Sequence, residues 1–319
     1  MIRTVFLLLL AVALPLVLKA TDQSFYLSFA SRILITALAA SSLNLVLGYG
    51  GMVSFGHAAF VGTGAYVASI ALAEGIGSAW FGWPAAVLAS GLAALAIGAL
   101  SLRTRGVYFI MITLAFAQMA YYLVNSMKAY GGDEGLTLPS RATLGFGLDL
   151  GDEVTFYYVV LFILAISLYA LHRLVNARFG RALRAIRDNE ARAEALGFPT
   201  LRCKLVAFAI AGAAGGLAGA LLASHGKYVN PNILHWTQSG TLLVMVILGG
   251  VGRLWGGVIG AVALLVLEHV MAEVRIDWLA ALAPTYQQHA SLGVGLVLLA
   301  IVLYAPQGIA GLFARKIRA

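Results

Sequence analysis

Six polar side chains interrupt otherwise apolar runs, at Asn44, Ser54, His57, Thr113, Gln118 and Asn125. An unpaired polar group in hydrocarbon is costly, so such residues face inward, where they bond a neighbouring helix or line a path for a solute. Both roles stay open for each of the six. For His57, beside a glycine cluster, a structural hydrogen bond competes with a place on the path. None implies covalent chemistry: the chain shows no His-x-x-x-His pair, no clustered acids and no nucleophile with an adjacent base, so a metal site and an intramembrane enzyme both lack their parts. A single cysteine, Cys203, excludes an internal disulfide framework. Nucleotide chemistry is missing too, because no G-x-x-x-x-G-K-[ST] occurs and "SHGKY" at 224–228 lacks the first Gly and the Ser or Thr.

Two glycine clusters stand beside these polar positions. "GYGGMVSFGHAAFVGTGAY" (48–66) and "LGGVGRLWGGVIGA" (248–261) each follow a short apolar run. Gly-interrupted segments in corresponding halves point to an internally repeated transporter with its path at the repeat interface, which makes Gly50, Gly51, Gly249 and Gly250 path candidates. Close helix packing is the competing reading. It is favoured for the pairs at GxxxG spacing, Gly212/Gly216, Gly215/Gly219 and Gly252/Gly256/Gly260.

The other informative stretch is polar. "RALRAIRDNEARAEALGFPT" (181–200) is too short and too charged to cross a membrane, so it is expected to lie along the surface as an amphipathic helix. Ala182, Ile186, Ala193 and Leu196 mark its apolar flank; Arg184–Asp188 and Asp188–Arg192 stand at i,i+4 spacing; Gly197 and Pro199 end it. Such an element suits docking in a groove of a partner, with a solvated loop as the alternative.

The elements that position these residues follow from composition. With 61% hydrophobic and only 11% charged residues, and a mean hydropathy of +0.92, the chain lacks the polar surface of a soluble domain and belongs in a lipid bilayer. Continuous Leu- and Ala-rich runs exclude a β-barrel, so the fold class is an all-α polytopic membrane protein forming one domain over 1–319. Apolar segments at about 5–18, 33–47, 57–73, 84–101, 107–127, 155–172, 203–224, 241–250, 256–272 and 288–304 predict about ten transmembrane helices, with the short 33–47 and 241–250 expected to be broken or re-entrant. The first, after Arg3, reads as an uncleaved span in preference to a signal peptide. Residues 173–204 carry eight Lys or Arg and residues 128–153 only two, which places the first loop in the cytoplasm and the second, with its five acids, outside. Propagating that orientation puts the C-terminus inside. The net charge of +8 is then a positive-inside signature, and nucleic acid is not expected as a partner.

The blocks "LNLVLGYGGMVSFGHAAFVGTGAY" (43–66), "VYFIMITLAFAQM" (107–119), "GGDEGL" (131–136), "FGRALRAIRDNEARAEALGFPTLRCKLVAFAIAGAAGGLAGALLA" (179–223), "VMVILGGVGRLWGGVIGA" (244–261) and "YAPQGIAGLF" (304–313) together resemble, in order and over nearly the whole chain, the LIV-type branched-chain amino acid ABC transporter permeases. The resemblance implies a permease subunit in the bacterial inner membrane that pairs with a homologous permease and receives its cargo from an extracytoplasmic amino-acid-binding protein. Two cytoplasmic ATPase subunits would use the ATP, and no cofactor would be bound by this chain. It also implies that the polar island is a coupling helix, with Arg184, Arg187, Asp188, Glu190, Ala191 and Gly197 as ATPase-coupling candidates. The general permease pattern has Glu-Ala-Ala with Gly six residues after the Glu; here Glu190-Ala191-Arg192 precedes Gly197 by seven. The family's outer loop is less acidic than Tyr130-Gly131-Gly132-Asp133-Glu134-Gly135, so urea or a short amide competes with an amino acid as cargo. A self-powered secondary transporter is disfavoured, since proton or sodium coupling needs midplane carboxylates and only Glu268 falls within a span, near its end.

Overall fold

The computed structural model describes residues 12–15, 24–145, 149–273, 290–305 and 307–311. The first expected span, 5–18, lies outside them apart from 12–15. The other nine expected segments each correspond to an apolar helix: α1 (Ser24–Asn44), α2 (His57–Ala73), α3 (Ala79–Ser101), α4 (Val107–Asn125), α5 (Glu153–Asn176), α8 (Thr200–Gly226), α9 (Trp236–Gly249), α10 (Gly256–Glu273) and α11 (Ala290–Tyr304). Two surface helices, α6 (Arg178–Asp188) and α7 (Glu190–Ala195), join α5 to α8. Among the described residues six apolar stretches are long enough to cross a membrane, and α2, α9 and α10 are shorter.

The expectation of a short segment at 33–47 is corrected. With one turn of π-helix at Leu45–Tyr49 the segment runs Phe25–Tyr49, a full 25 residues. Ser28, Ser31 and Arg32 had masked its first turns; the Ser31 hydroxyl donates to the Leu27 carbonyl (3.1 Å), so it adds no unsatisfied group to the helix. The expectation at 241–250 holds better: α9 has 14 residues, about 21 Å, short of a bilayer's apolar thickness.

Helices α1 and α8 form the centre. In α1 67% of the most apolar stretch is buried, against 17% in α4, so α4 presents residues such as Tyr108, Met111 and Met119 outward as an apolar exterior suited to lipid or a second membrane subunit. Helix α8 fits between α2 and α3 because its glycines remove side chains at the crossings. A Cβ on Gly216 would overlap the Ser90 hydroxyl, and one on Gly219 the Val61 carbonyl. In the second cluster, a Cβ on Gly260 would overlap the Met245 carbonyl. Packing is therefore what these GxxxG glycines do.

The 128–153 connection is built as a ledge. Leu136–Thr137 (β1) pairs antiparallel with Tyr228–Val229 (β2), in the register Leu136 to Val229. Arg141, its side chain 3% exposed, pairs with Glu153 at 2.5 Å, donates to the Leu150 carbonyl at 2.9 Å and lies 4.4 Å over the Phe156 ring.

Candidate functional site

The π-turn at the end of α1 leads into an irregular break at 50–56, then α2 begins. At Gly51 the backbone has φ +68°, a conformation glycine adopts without strain. A second break, 250–255, separates α9 from α10, with Gly250 at φ +117° and Gly252 at +74°. The two breaks touch. Asn44 joins them through its amide, donating to the Arg253 carbonyl (2.6 Å) and accepting from the Gly252 N–H (2.9 Å). A Cβ on Gly48 would overlap the Gly252 nitrogen, and one on Gly249 the Gly256 carbonyl.

The polar island reaches this junction from the surface. Arg187 donates from Nη1 to the Gly48 carbonyl (2.7 Å), and its stem covers Gly51. Its guanidinium also pairs with Asp188 at 2.8 Å. Arg184 turns back to the Val175 carbonyl (3.2 Å), one of the free carbonyls at the end of α5. The two expected i,i+4 pairs are thus replaced. Asn189, at φ −160° and ψ 102°, breaks the island into α6 and α7, so residues 188 and 192 no longer share a helix face. The expected apolar flank shifts for the same reason: Leu183, Ile186 and Ala193 are buried, while Leu196 is 71% exposed. Asn189 caps α7 by accepting from the Arg192 N–H (2.9 Å). Gly197, at φ +83°, ends α7 as expected, with Phe198 N–H donating to the Ala193 carbonyl (3.1 Å) and Gly197 N–H to that of Glu194 (2.9 Å). Glu190 reaches Lys204 at 2.5 Å and Arg105 at 3.7 Å, and Ala191 is exposed.

The remaining sequence candidates hold the start of α2, whose first N–H groups need partners. Ala58 N–H donates to the Ser239 hydroxyl (2.8 Å), Phe55 N–H to the Thr113 hydroxyl (3.3 Å) and Gly56 N–H to that of Ser54 (3.2 Å). His57 is fully buried, with Nε2 2.8 Å from the Ser42 hydroxyl. Because Ser42 gives its own hydrogen to the Ala39 carbonyl (2.7 Å), the imidazole is the donor in this pair. Gln118 stands apart, 3.5 Å from His235. Asn44, Gly50, Gly51, Gly249 and Gly250 therefore come together with Arg187, and Ser54, His57 and Thr113 form a neighbouring group; none lines either of the two cavities that Arg32 borders. Ser239 and Arg32 escaped the sequence reading. Ser239 lies one turn into α9 with no motif around it, whereas an arginine within an apolar helix was a visible signal.

A polytopic helical bundle with broken helices meeting at a surface helix is the build of a membrane permease. The chain matches the family described as the permease component of branched-chain amino acid transport systems over residues 25–304, and it belongs to that family. It is 29% identical to the high-affinity branched-chain amino acid transport system permease protein LivM of Salmonella typhimurium, over 95% of this chain and 73% of the relative, and equally to LivM of Escherichia coli. BraD of Pseudomonas aeruginosa, a permease protein of the same description, is 25% identical over 86% of the chain. No solved structure matches.

Proposed function

We propose that this chain is the membrane permease subunit of an ATP-driven importer of branched-chain amino acids, pairing with a homologous permease and two cytoplasmic ATPase subunits and receiving cargo from an external binding protein. One observation carries the coupling: Arg187 joins a surface helix directly to the carbonyl at the break of α1, so a push on α6 is felt where α1 ends and α9 turns into α10. ATPase closure would bias two packings of the bundle, and the solute site would open to each face in turn. Arg184, Arg187 and Glu190 act inward as the linkage, with exposed Asp188 holding the Arg187 guanidinium, while Ala191 and Gly197, with exposed Leu196 and Phe198, form the surface that meets the ATPase.

The α6 face is cytoplasmic in this reading, and the C-terminus with it. That is supported by the basic residues of 173–204 and by Arg253, whose Nη2 lies 3.4 Å from Gln307 Oε1 at the same end. Ten spans with an internal repeat belong to the same proposal. Its support is the parallel between α1–break–α2 and α9–break–α10, in which the second helices have 17 and 18 residues.

The test is uptake by the complex reconstituted in vesicles. Leucine, isoleucine and valine should accumulate only with ATP and both ATPase subunits, and urea or acetamide should not. Leu196→Asp should abolish co-purification of the ATPases while the chain still inserts. Uphill leucine uptake by the permease pair alone would refute the reading.

A further inference from the structure

Arg32 on α1 and Glu268 on α10 are charges within membrane spans, and neither side chain makes a hydrogen bond or ion pair among the described residues. Both line two cavities, of about 280 and 360 Å³, that share Arg32, Leu265 and Glu268, so the two charges stand at the waist between them. Their depth follows from the helices: Arg32 lies sixteen residues, roughly 24 Å, above Gly48, and Glu268 twelve residues, roughly 18 Å, above Gly256. That is the half of the bundle remote from α6, and the second cavity is also lined there by Phe25, Phe29 and His225, with His225 three residues before β2.

Arg32 and Glu268 attract each other without closing to a salt bridge, and opposite charges held apart within a membrane span are costly; in transporters such groups face a cavity and its solute. The chemistry of this cavity is specific. A guanidinium matches a carboxylate with two parallel N–H donors, and a carboxylate accepts from an ammonium. One of the two cavities continues from them over an apolar wall of Ile35, Val61, Leu242 and Met245. One positive and one negative pole suit a ligand that is dipolar but neutral overall, and a cationic or acidic side chain would add a charge the aliphatic wall cannot pair.

We propose that Arg32 and Glu268 hold the carboxylate and the ammonium of a free aliphatic α-amino acid in transit, its side chain against Ile35, Val61, Leu242 and Met245. The proposal rests on the importer reading and adds to it a site within this one subunit.

The experiment is radiolabelled leucine uptake by the reconstituted complex, compared at equal amounts of assembled protein. Arg32→Gln and Glu268→Gln should each lower uptake at low leucine by about ten- to a hundredfold, the worth of a charge-assisted hydrogen bond, mainly through KM. Competition separates the poles: Glu268→Gln should lose the preference for leucine over 4-methylpentanoate, which lacks the ammonium, and Arg32→Gln the preference over leucinamide. If the wild-type complex carries leucine and both variants keep its uptake and selectivity, the site is overturned and the importer stands. Should the wild type carry no leucine, the importer reading falls first. Thr241 lines the same cavity, so a second measurement needs neither transport nor the charge variants. In a Cys203→Ala background, leucine should slow modification of Thr241→Cys by a membrane-impermeant thiosulfonate and leucinamide should not; equal rates with and without leucine overturn the proposal.

Discussion

The two ends of α1 treat polar groups in opposite ways. At its C-terminal end Asn44 is 2% exposed and bonded on both sides of its amide to the second break, and Arg187 closes the junction onto Gly48. Twelve residues earlier, Arg32 stands beside a cavity, with no hydrogen bond or salt bridge from its side chain among the described residues and only a longer-range attraction to Glu268. Bonded groups fix one geometry and transmit a displacement, whereas unpaired ones keep free energy available for a ligand. The helix thus carries a rigid joint at the end that meets the surface helix and an open site at the other.

The largest effect that tests this contrast is on stability. Asn44→Leu keeps the size but strands the Gly252 N–H and the Arg253 carbonyl in a partly buried place, at a cost of about 2–4 kcal/mol. The thermal unfolding midpoint of the detergent-purified chain should fall clearly. Arg32→Gln removes no hydrogen bond, only a longer-range attraction to Glu268, so its midpoint should fall by much less. Equal falls for the two would erase the distinction between joint and site.

A smaller effect separates crowding from backbone conformation. Gly51 and Gly75 share the left-handed region, at φ +68° and +86°, but a Cβ on Gly51 would stand 2.6 Å from Arg187 Cγ, while Gly75 has nothing within 4 Å. Gly75→Ala should cost about 1 kcal/mol, the backbone penalty alone. Gly51→Ala should cost about 2–3 kcal/mol by also displacing Arg187, and it should lower leucine-stimulated ATP hydrolysis in the complex where Gly75→Ala does not. Matching losses at both positions would show that Arg187 does not depend on Gly51.

Much of this was legible in the sequence because hydropathy and glycine spacing are local signals. Segment 57–73 coincides with α2, and the glycine pairs at GxxxG spacing pack as their spacing suggests. Gly197 ends α7 where a left-handed residue was expected. What was not legible depends on partners distant in sequence. The bond from Arg187 to Gly48 spans 139 residues and that from Asn44 to Arg253 spans 209, and no periodicity within one helix reports either. The island's break at Asn189 was missed because Asp188-Asn189-Glu190 reads equally as a polar helix face and as an N-cap. The cavity at Arg32 and Glu268 was missed because each charge alone resembles an interfacial anchor, and only the packing of α1 beside α10 brings them to one space.

The smallest effect concerns how firmly the surface helices are held, and it bears on what Glu190 does. Glu190 receives Lys204 on one oxygen at 2.5 Å, where the two side chains are 14% and 23% exposed, and Arg105 on the other at 3.7 Å, where the arginine is 70% exposed. An exposed pair is screened by salt and contributes little; a half-buried pair with good geometry keeps its value. Lys204→Met should therefore destabilise by about 1 kcal/mol in low and high salt alike, and Arg105→Met by less than about 0.5 kcal/mol, vanishing in high salt. If Glu190 serves mainly to tie α7 to α8, Lys204→Met and Glu190→Gln should weaken ATPase association to the same small degree. A much larger loss from Glu190→Gln alone would mean that its carboxylate touches the ATPase itself, and would move Glu190 from the inward linkage to the outward docking surface.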